Sequence, residues 1–255
     1  MSLSFFPEPF EDELLYSLMA RVREMTGLSH NAVINMFLGK NEGWVTVDLP
    51  LRLNQVSACI GSEVMSCRDL IERHTLFSYY MGFLDCPAYA HARQLAAEGW
   101  AGSGAKHIKR QISPIGRPSY LRFCANCADA DKEVSGIAGW RRSHQCPGVF
   151  ICPEHGAELL ESEISSSRAK LLVSPPGGQV TARRVLNPFP TTIAMSLASS
   201  TAWLLAHPQE AVGLAVLRSR MRLLLGDKGW IVNRHPILTP DWSAPLAVDS
   251  FKLLF

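Results

Sequence analysis

The sequence predicts a mainly α-helical fold with one small, ribbon-like unit that Cys and His side chains hold together. Apolar residues recur at helical spacing in the first hundred residues and again between residues 190 and 225. Between these regions, residues 113–160 are rich in Gly and Pro and contain closely spaced Cys and His residues. We therefore expect an N-terminal helical domain over residues 1–100, a metal-binding domain over 101–175 and a C-terminal helical region over 176–255.

The first predicted helix carries Leu14, Leu18 and Val22 at helical spacing. Residues 11–13 (EDE) place negative charge in its first turn, where the helix dipole favours it, and Gly27 ends it. A second, short helix is expected from Ser29, its N-cap, to residue 38.

A pair of short helices is predicted next, after Pro50 and after Ser66, with Gly61 between them. This spacing is compatible with a helix-turn-helix, although ordinary helical hairpins that bind no DNA share the pattern. A further helix is expected over residues 88–98, before a Gly-rich connector. Residues 190–207 and 209–225 predict two C-terminal helices, whereas residues 230–255 show little periodicity.

Two turns of equal spacing carry the candidate metal ligands. Cys124 and Cys127 have two residues between them, and so do Cys152 and His155, within one window of residues 124–155. Three thiolates and one imidazole make a closed tetrahedral site of the kind found in structural zinc modules. The sequence thus predicts a central zinc finger with one structural Zn²⁺ per chain, and a unit this small needs such a cross-link.

The other cysteines have no comparable pattern. Cys146 lies in the same window and competes for a ligand position, but it forms no second knuckle and is interpreted as a buried apolar side chain. Cys59, Cys67 and Cys86 are spaced irregularly, which favours packing over a second metal site. The odd total of seven cysteines argues against a disulfide framework.

Charge is distributed unevenly along the chain, whose net charge is only +2. Residues 1–98 hold 7 Lys/Arg and 12 Asp/Glu, whereas residues 99–255 hold 18 and 11. Two long segments without acids are basic, which suits a polyanion such as DNA but also an ordinary solvated face. The candidate contact residues there are Lys106, Lys109, Arg110, Arg183 and Arg184.

The loop between the two Cys/His turns adds Trp140, Arg141, Arg142 and His144. Trp140 is expected to pack in the core. The cationic and planar side chains of the other three residues are candidates for contact with DNA or with a protein partner.

The sequence lacks the signature motifs of several functional classes. No apolar run reaches the roughly 18 residues of a membrane span, and residues 1–7 lack a basic signal-peptide segment, so we expect a cytoplasmic protein. The His-x-Glu and Pro-Cys-x-x-Cys motifs of zinc deaminases, the His-Glu-x-x-His motif of zinc hydrolases and the phosphate-binding P-loop are all missing.

Three segments make the chain resemble the TniQ/TnsD family of bacterial transposon target-selection proteins. They are residues 6–21, which hold FPEP and ELLYSLMAR, residues 74–80 (HTLFSYY), and the Cys/His segment over 122–156. The family's metal ligands would fall on Cys124, Cys127, Cys152 and His155, and the family usually has an aliphatic residue where Cys146 stands.

The resemblance implies a bacterial targeting adaptor that is not itself an enzyme. It would connect target DNA, or a CRISPR guide-RNA complex on DNA, to the AAA+ ATPase regulator of a transposase, as a monomer or a homodimer. The alternatives are a zinc-containing helix-turn-helix transcription regulator and a zinc enzyme.

Overall fold

A computed structural model describes residues 6–39, 45–50, 52–99, 118–166, 172–175 and 182–207, with two-residue pieces at 215–216, 219–220, 222–223, 231–232 and 235–236. The described chain is mostly helical with a small sheet, as predicted.

The helices are α1 (Leu15–Thr26), α2 (His30–Leu38), α3 (Leu53–Ile60), α4 (Cys67–Arg73), α5 (Phe77–Met81), α6 (Cys86–Glu98), α7 (Ala125–Ser135) and α8 (Thr191–Ala206), with a 3-10 turn at Ser143–Gln145. The strands are β1 (Tyr120–Phe123), β2 (Leu160–Ser165), β3 (Arg183–Arg184), β4 (Ile231–Val232) and β5 (His235–Pro236).

Helix α1 is the buried centre of the N-terminal part. Its first two turns, residues 15–22, are buried on every side, including Ser17 and Arg21. The helix ends at Gly27, whose φ of 68° is the left-handed conformation that glycine adopts most readily, and whose N–H donates to the carbonyl of Arg23.

The start of α1 differs from the prediction. The helix begins at Leu15, and the acidic residues 11–13 precede it instead of occupying its first turn. Asp12 has a positive φ of 59°, and Glu13 forms an isolated β-bridge with Arg141. Pairing of Asp12 with Arg142 and of Glu13 with Arg21 therefore accounts for the positions of these two carboxylates, rather than the helix dipole.

Helices α2 to α6 follow the predicted order with one addition. The side chains of Ser29 and Ser66 cap α2 and α4, as expected, by accepting the N–H groups of Ala32 and Asp69. Helix α5 was not predicted, because five residues are too few to show a helical period. Helices α3 and α4 pack together across residues 61–66, but DNA binding by this pair stays a prediction.

The central unit contains more regular structure than its Gly and Pro content suggested. Strands β1, β2 and β3 form an antiparallel sheet in that order, with Phe123 opposite Leu160. Helix α7 was also not predicted; only Cys127, Ala128 and Asp131 of its eleven residues are buried, so it shows no clear apolar stripe.

The C-terminal prediction is confirmed for α8. Of residues 209–225, the described pieces are helical, and β4 and β5 form a short antiparallel pair that was not predicted. No helix among the described residues is long and apolar enough to cross a membrane.

One cluster of buried side chains extends from Leu14 beside α1 through Phe123 and Trp140 to Leu205 in α8. Trp140 is completely buried, as predicted, and its ring meets that of Phe123 edge to face at 6.0 Å. The N-terminal helices and the Cys/His unit thus share a core. The predicted domain boundaries stay predictions; the first, near residue 100, lies outside the described residues.

Candidate metal centre

The first Cys pair lies where β1 turns into α7. Cys124 has an extended backbone at the N-cap of α7, and Cys127 lies in the first turn of that helix. The carbonyl of Cys124 accepts the N–H of Ala128, which begins the helix. A strand followed directly by a helix therefore directs both sulfurs toward the same point.

The second pair lies in a tight turn before β2. The N–H of Gly156 donates to the carbonyl of Cys152, and the N–H of Cys152 donates to the carbonyl of Ala157. Gly156 has a φ of +63°, which L residues rarely adopt, so this glycine permits the reversal. The turn brings the ring of His155 back toward the sulfur of Cys152.

These four side chains converge. Their ligand atoms all lie within 4.8 Å of one another. The His155 Nδ1 atom lies 3.9, 3.3 and 3.6 Å from the sulfurs of Cys124, Cys127 and Cys152, and the last two sulfurs are 3.6 Å apart. A tetrahedral zinc ion, with bonds of about 2.3 Å to sulfur and 2.0 Å to nitrogen, separates its ligand atoms by roughly 3.5–3.8 Å. The arrangement therefore fits one tetrahedral metal ion.

The three thiols of the cluster affect the pKa values of one another. Hydrogen bonding among the three thiols lowers the pKa of Cys124, raises the pKa of Cys127 and raises the pKa of Cys152 to about 11. Hydrogen bonding by the backbone N–H groups of Cys127 and His155 lowers the pKa of Cys124 and Cys152 to a smaller extent. A metal ion that binds these sulfurs as thiolates would displace the protons of the thiols.

Charged side chains surround the cluster. Arg141 donates to Asp131 at 2.8 Å, and its guanidinium lies 3.9 Å from Glu154. The Glu154 carboxylate also lies 3.3 Å from the Cys127 sulfur. Arg141 thus connects the Cys/His cluster to helix α7 through Asp131.

The same loop is attached to the N-terminal segment. Arg141 donates to the carbonyl of Glu11, and Arg142 donates to the Asp12 carboxylate at 3.0 Å. Gly139 lies so close to this segment that an added Cβ would come within 2.7 Å of the Phe10 ring. The loop between the two Cys/His turns therefore forms the junction with the N-terminal helices.

A buried ion pair lies behind this junction. Glu13 accepts from Arg21 at 2.7 Å and from the Ser17 hydroxyl at 2.6 Å, and both charged side chains are at most 6% exposed. The Ser17 hydroxyl in turn accepts the N–H of Trp140 at 2.8 Å. Burial raises the pKa of Glu13, against the opposing effects of Arg21, Ser17 and the Phe10 N–H. Sequence reasoning missed this pair, whose partners are eight residues apart along the chain.

Two of the residues predicted to contact DNA or a protein partner are buried in the interior, and their contact stays a prediction. Arg142 is 4% exposed and donates to the carbonyls of Glu72 and Leu205, and His144 is 1% exposed. Burial lowers the pKa of His144 to about 4, so its ring is neutral at pH 7. The guanidinium of Arg142 bonds neighbouring segments of the same chain, whereas the buried Nε2 atom of His144 has no hydrogen-bond partner among the described residues.

The other residues predicted to contact DNA differ in their exposure. Arg141 is largely buried and ion-paired, whereas Arg183 and Arg184 are exposed on β3. Lys106, Lys109 and Arg110 lie outside the described residues. Contact of these residues with DNA stays a prediction.

The other cysteines are separate from the cluster. Cys146 is completely buried, as predicted, and its thiol lies 3.6 Å from the carbonyl of Arg142. Cys59 is buried, Cys67 is half-buried and Cys86 is exposed. Among the described residues, the group of Cys124, Cys127, Cys152 and His155 is the one that could hold a metal ion.

Comparison with known proteins places these features in a family. The family model described as TniQ matches residues 4–159, which is more than half of the chain and includes all four converging side chains. The chain is also 28% identical over 156 residues to the transposon Tn7 transposition protein TnsD of Escherichia coli. That match covers 60% of this chain but only 30% of the relative.

Proposed function

The chain belongs to the TniQ family, and from that membership we propose that it selects target DNA for a bacterial transposition system. It acts as an adaptor between target DNA, or a guide-RNA complex on that DNA, and the AAA+ ATPase regulator of the transposase. The observation that carries the proposal is the match over residues 4–159, which spans the N-terminal helices, the Cys/His cluster and the junction between them.

Within this function, the four converging residues hold one structural Zn²⁺. Cys124, Cys127, Cys152 and His155 supply three thiolates and one imidazole, a ligand set that favours zinc over the harder cations. The ion, when bound, cross-links β1 and α7 to the turn before β2. Four protein ligands leave no coordination position for a reacting water, which supports a role in binding and not in catalysis.

We place DNA contact at the exposed edge strand β3. Arg183 lies opposite Glu161 and Arg184 opposite Leu160 in the sheet. Directly opposite residues share a face, whereas consecutive residues point to opposite faces. Arg183 therefore lies beside a carboxylate and Arg184 beside an apolar side chain, so Arg184 is the better placed to attract a phosphate.

Arg184→Glu is accordingly expected to weaken binding to duplex DNA more than Arg183→Glu does. Losing one phosphate contact reduces the slope of log affinity against log salt by about 1, and the repulsion from the new carboxylate adds to the loss. The measurement is fluorescence anisotropy of a labelled duplex over a series of salt concentrations.

Lys132→Glu on α7 is the matched control, because it changes the net charge by the same amount at a site on another element. It should leave the salt slope as in the parent chain. Equal affinities and slopes for the parent chain and Arg184→Glu would remove β3 from the DNA-binding surface.

A further inference from the structure

A cleft of about 1010 Å³ opens between three parts of the chain. One wall is the segment 8–12 with α4, the second is the loop 141–144 with Glu154, and the third is α8. The cleft thus lies beside the junction between the N-terminal helices and the Cys/His unit, on the side that α8 borders.

Part of its lining is apolar and partly exposed. Phe10, Pro153 and Trp203 are half-buried lining residues, and Val64, also in the lining, is 65% exposed. Aromatic and Met side chains of this kind are enriched in the cores of protein–protein interfaces. The lining therefore suits an apolar side chain from a binding partner.

The charge of the cleft is negative. Each of its three arginines already faces a lining carboxylate: Arg73 lies 3.5 Å from Asp69, Arg141 lies 3.9 Å from Glu154, and Arg142 lies 3.0 Å from Asp12. Glu8 and Glu11 also line the cleft, are exposed, and form no ion pair within the described part of the chain. The two unpaired carboxylates favour a cationic ligand and repel nucleic-acid phosphates.

We propose that this cleft binds a segment of a protein partner in which a Lys or Arg lies next to an apolar side chain. The proposal deepens the proposed function, since it gives the adaptor a protein-binding surface separate from its DNA-binding strand. The basic side chain pairs with Glu8 and Glu11, and the apolar side chain packs on Phe10 and Trp203.

The test is a selection of random peptides displayed on phage against the intact, zinc-loaded chain. The affinities of enriched peptides are then measured for Ser199→Trp, which fills the cleft from α8, and for Glu11→Lys, which reverses its charge. We expect enriched peptides to contain a basic residue beside an apolar one. Each variant should weaken their binding by at least about tenfold, which corresponds to one lost interaction of roughly 1.4 kcal/mol.

Two control variants make the same kinds of change, an added Trp side chain and a reversed charge, at positions outside the cleft. Thr192→Trp adds the same side chain on an exposed position of α8, and Glu133→Lys reverses an exposed charge on α7. Both should bind the peptides as the parent chain does. Melting temperature and zinc content of all four variants identify any that fail to fold.

Three results would overturn the proposal: no enriched peptide, enrichment of acidic peptides, or equal binding by the parent chain and folded Ser199→Trp. Competition for the cleft by duplex DNA would assign it to nucleic acid instead. None of these results affects the targeting function, because DNA binding is measured separately at Arg184.

Discussion

Cys152→Ser is expected to reduce the metal content from one zinc per chain to nearly none and to unfold the Cys/His unit. A serine hydroxyl stays protonated at neutral pH and is a poor zinc ligand. Structural zinc sites contribute apparent binding free energies on the order of 10 kcal/mol to folding, which exceeds what a unit of this size gains from its own core.

The loss of structure in Cys152→Ser should extend to the junction between the Cys/His unit and α1. The N–H of Leu14 donates to the carbonyl of Trp140 at 2.9 Å, and the N–H of Trp140 donates to Ser17. Both amides depend on the position of the loop between the two Cys/His turns. Hydrogen–deuterium exchange should therefore show reduced protection of peptides that contain Leu14 and Trp140, together with those of the Cys/His unit.

Cys86→Ser is the matched control for this substitution. Cys86 is exposed at the start of α6 and lies outside the converging group. The Cys86→Ser chain should retain one zinc per chain and the hydrogen–deuterium exchange of the parent chain. A Cys152→Ser chain with native exchange and an unchanged melting temperature would mean that the four residues do not form a structural metal site.

Arg21→Met should lower the free energy of unfolding by about 3–5 kcal/mol, because it leaves the Glu13 carboxylate buried without its cation. Glu13 is 0% exposed, and its other acceptor contacts are the Ser17 hydroxyl and the Phe10 N–H. The measurement is urea denaturation of the parent chain and the variant, with zinc present throughout.

The pH dependence of the stability gives a second test of the Arg21→Met prediction. Burial already raises the pKa of Glu13, and loss of Arg21 raises it further. The folded variant then binds a proton that the unfolded chain releases, so its stability falls as pH rises through the range between the unfolded and folded pKa values. The deficit relative to the parent chain should be largest at neutral pH and should shrink as the pH is lowered.

Arg73→Met is the control for the buried pair. The Arg73 side chain is 72% exposed and pairs with the 47% exposed side chain of Asp69 on the surface of α4, where such pairs contribute at most about 1 kcal/mol. A comparable loss of stability for Arg21→Met and Arg73→Met, or a deficit of Arg21→Met that grows at low pH, would contradict the role assigned to Glu13 and Arg21.

The four converging residues could be predicted from the sequence because their arrangement is local. Each Cys/His turn spans four residues, so the spacing alone brings two ligand atoms together, and only the meeting of the two turns requires the fold. The same reasoning succeeded for Ser29 and Ser66, whose capping contacts are made three residues further along the chain.

The junction could not be predicted because its contacts are far apart along the chain. Arg142 and Asp12 are separated by 130 positions, and nothing in either local pattern indicates the other. An arginine beside aromatic residues is typical of both a nucleic-acid surface and a buried ion pair, and the sequence alone does not show which segments cover it. The structure covers Arg142 with residues from the N-terminal segment, α4 and α8.

The metal content of the purified chain tests the central claim most directly. Elemental analysis of protein prepared without added metal should give one zinc per chain, and removing that zinc with a chelator should unfold the Cys/His unit in the same titration. A chain that contains no metal and yet melts cooperatively at the temperature of the zinc-loaded protein would contradict the account.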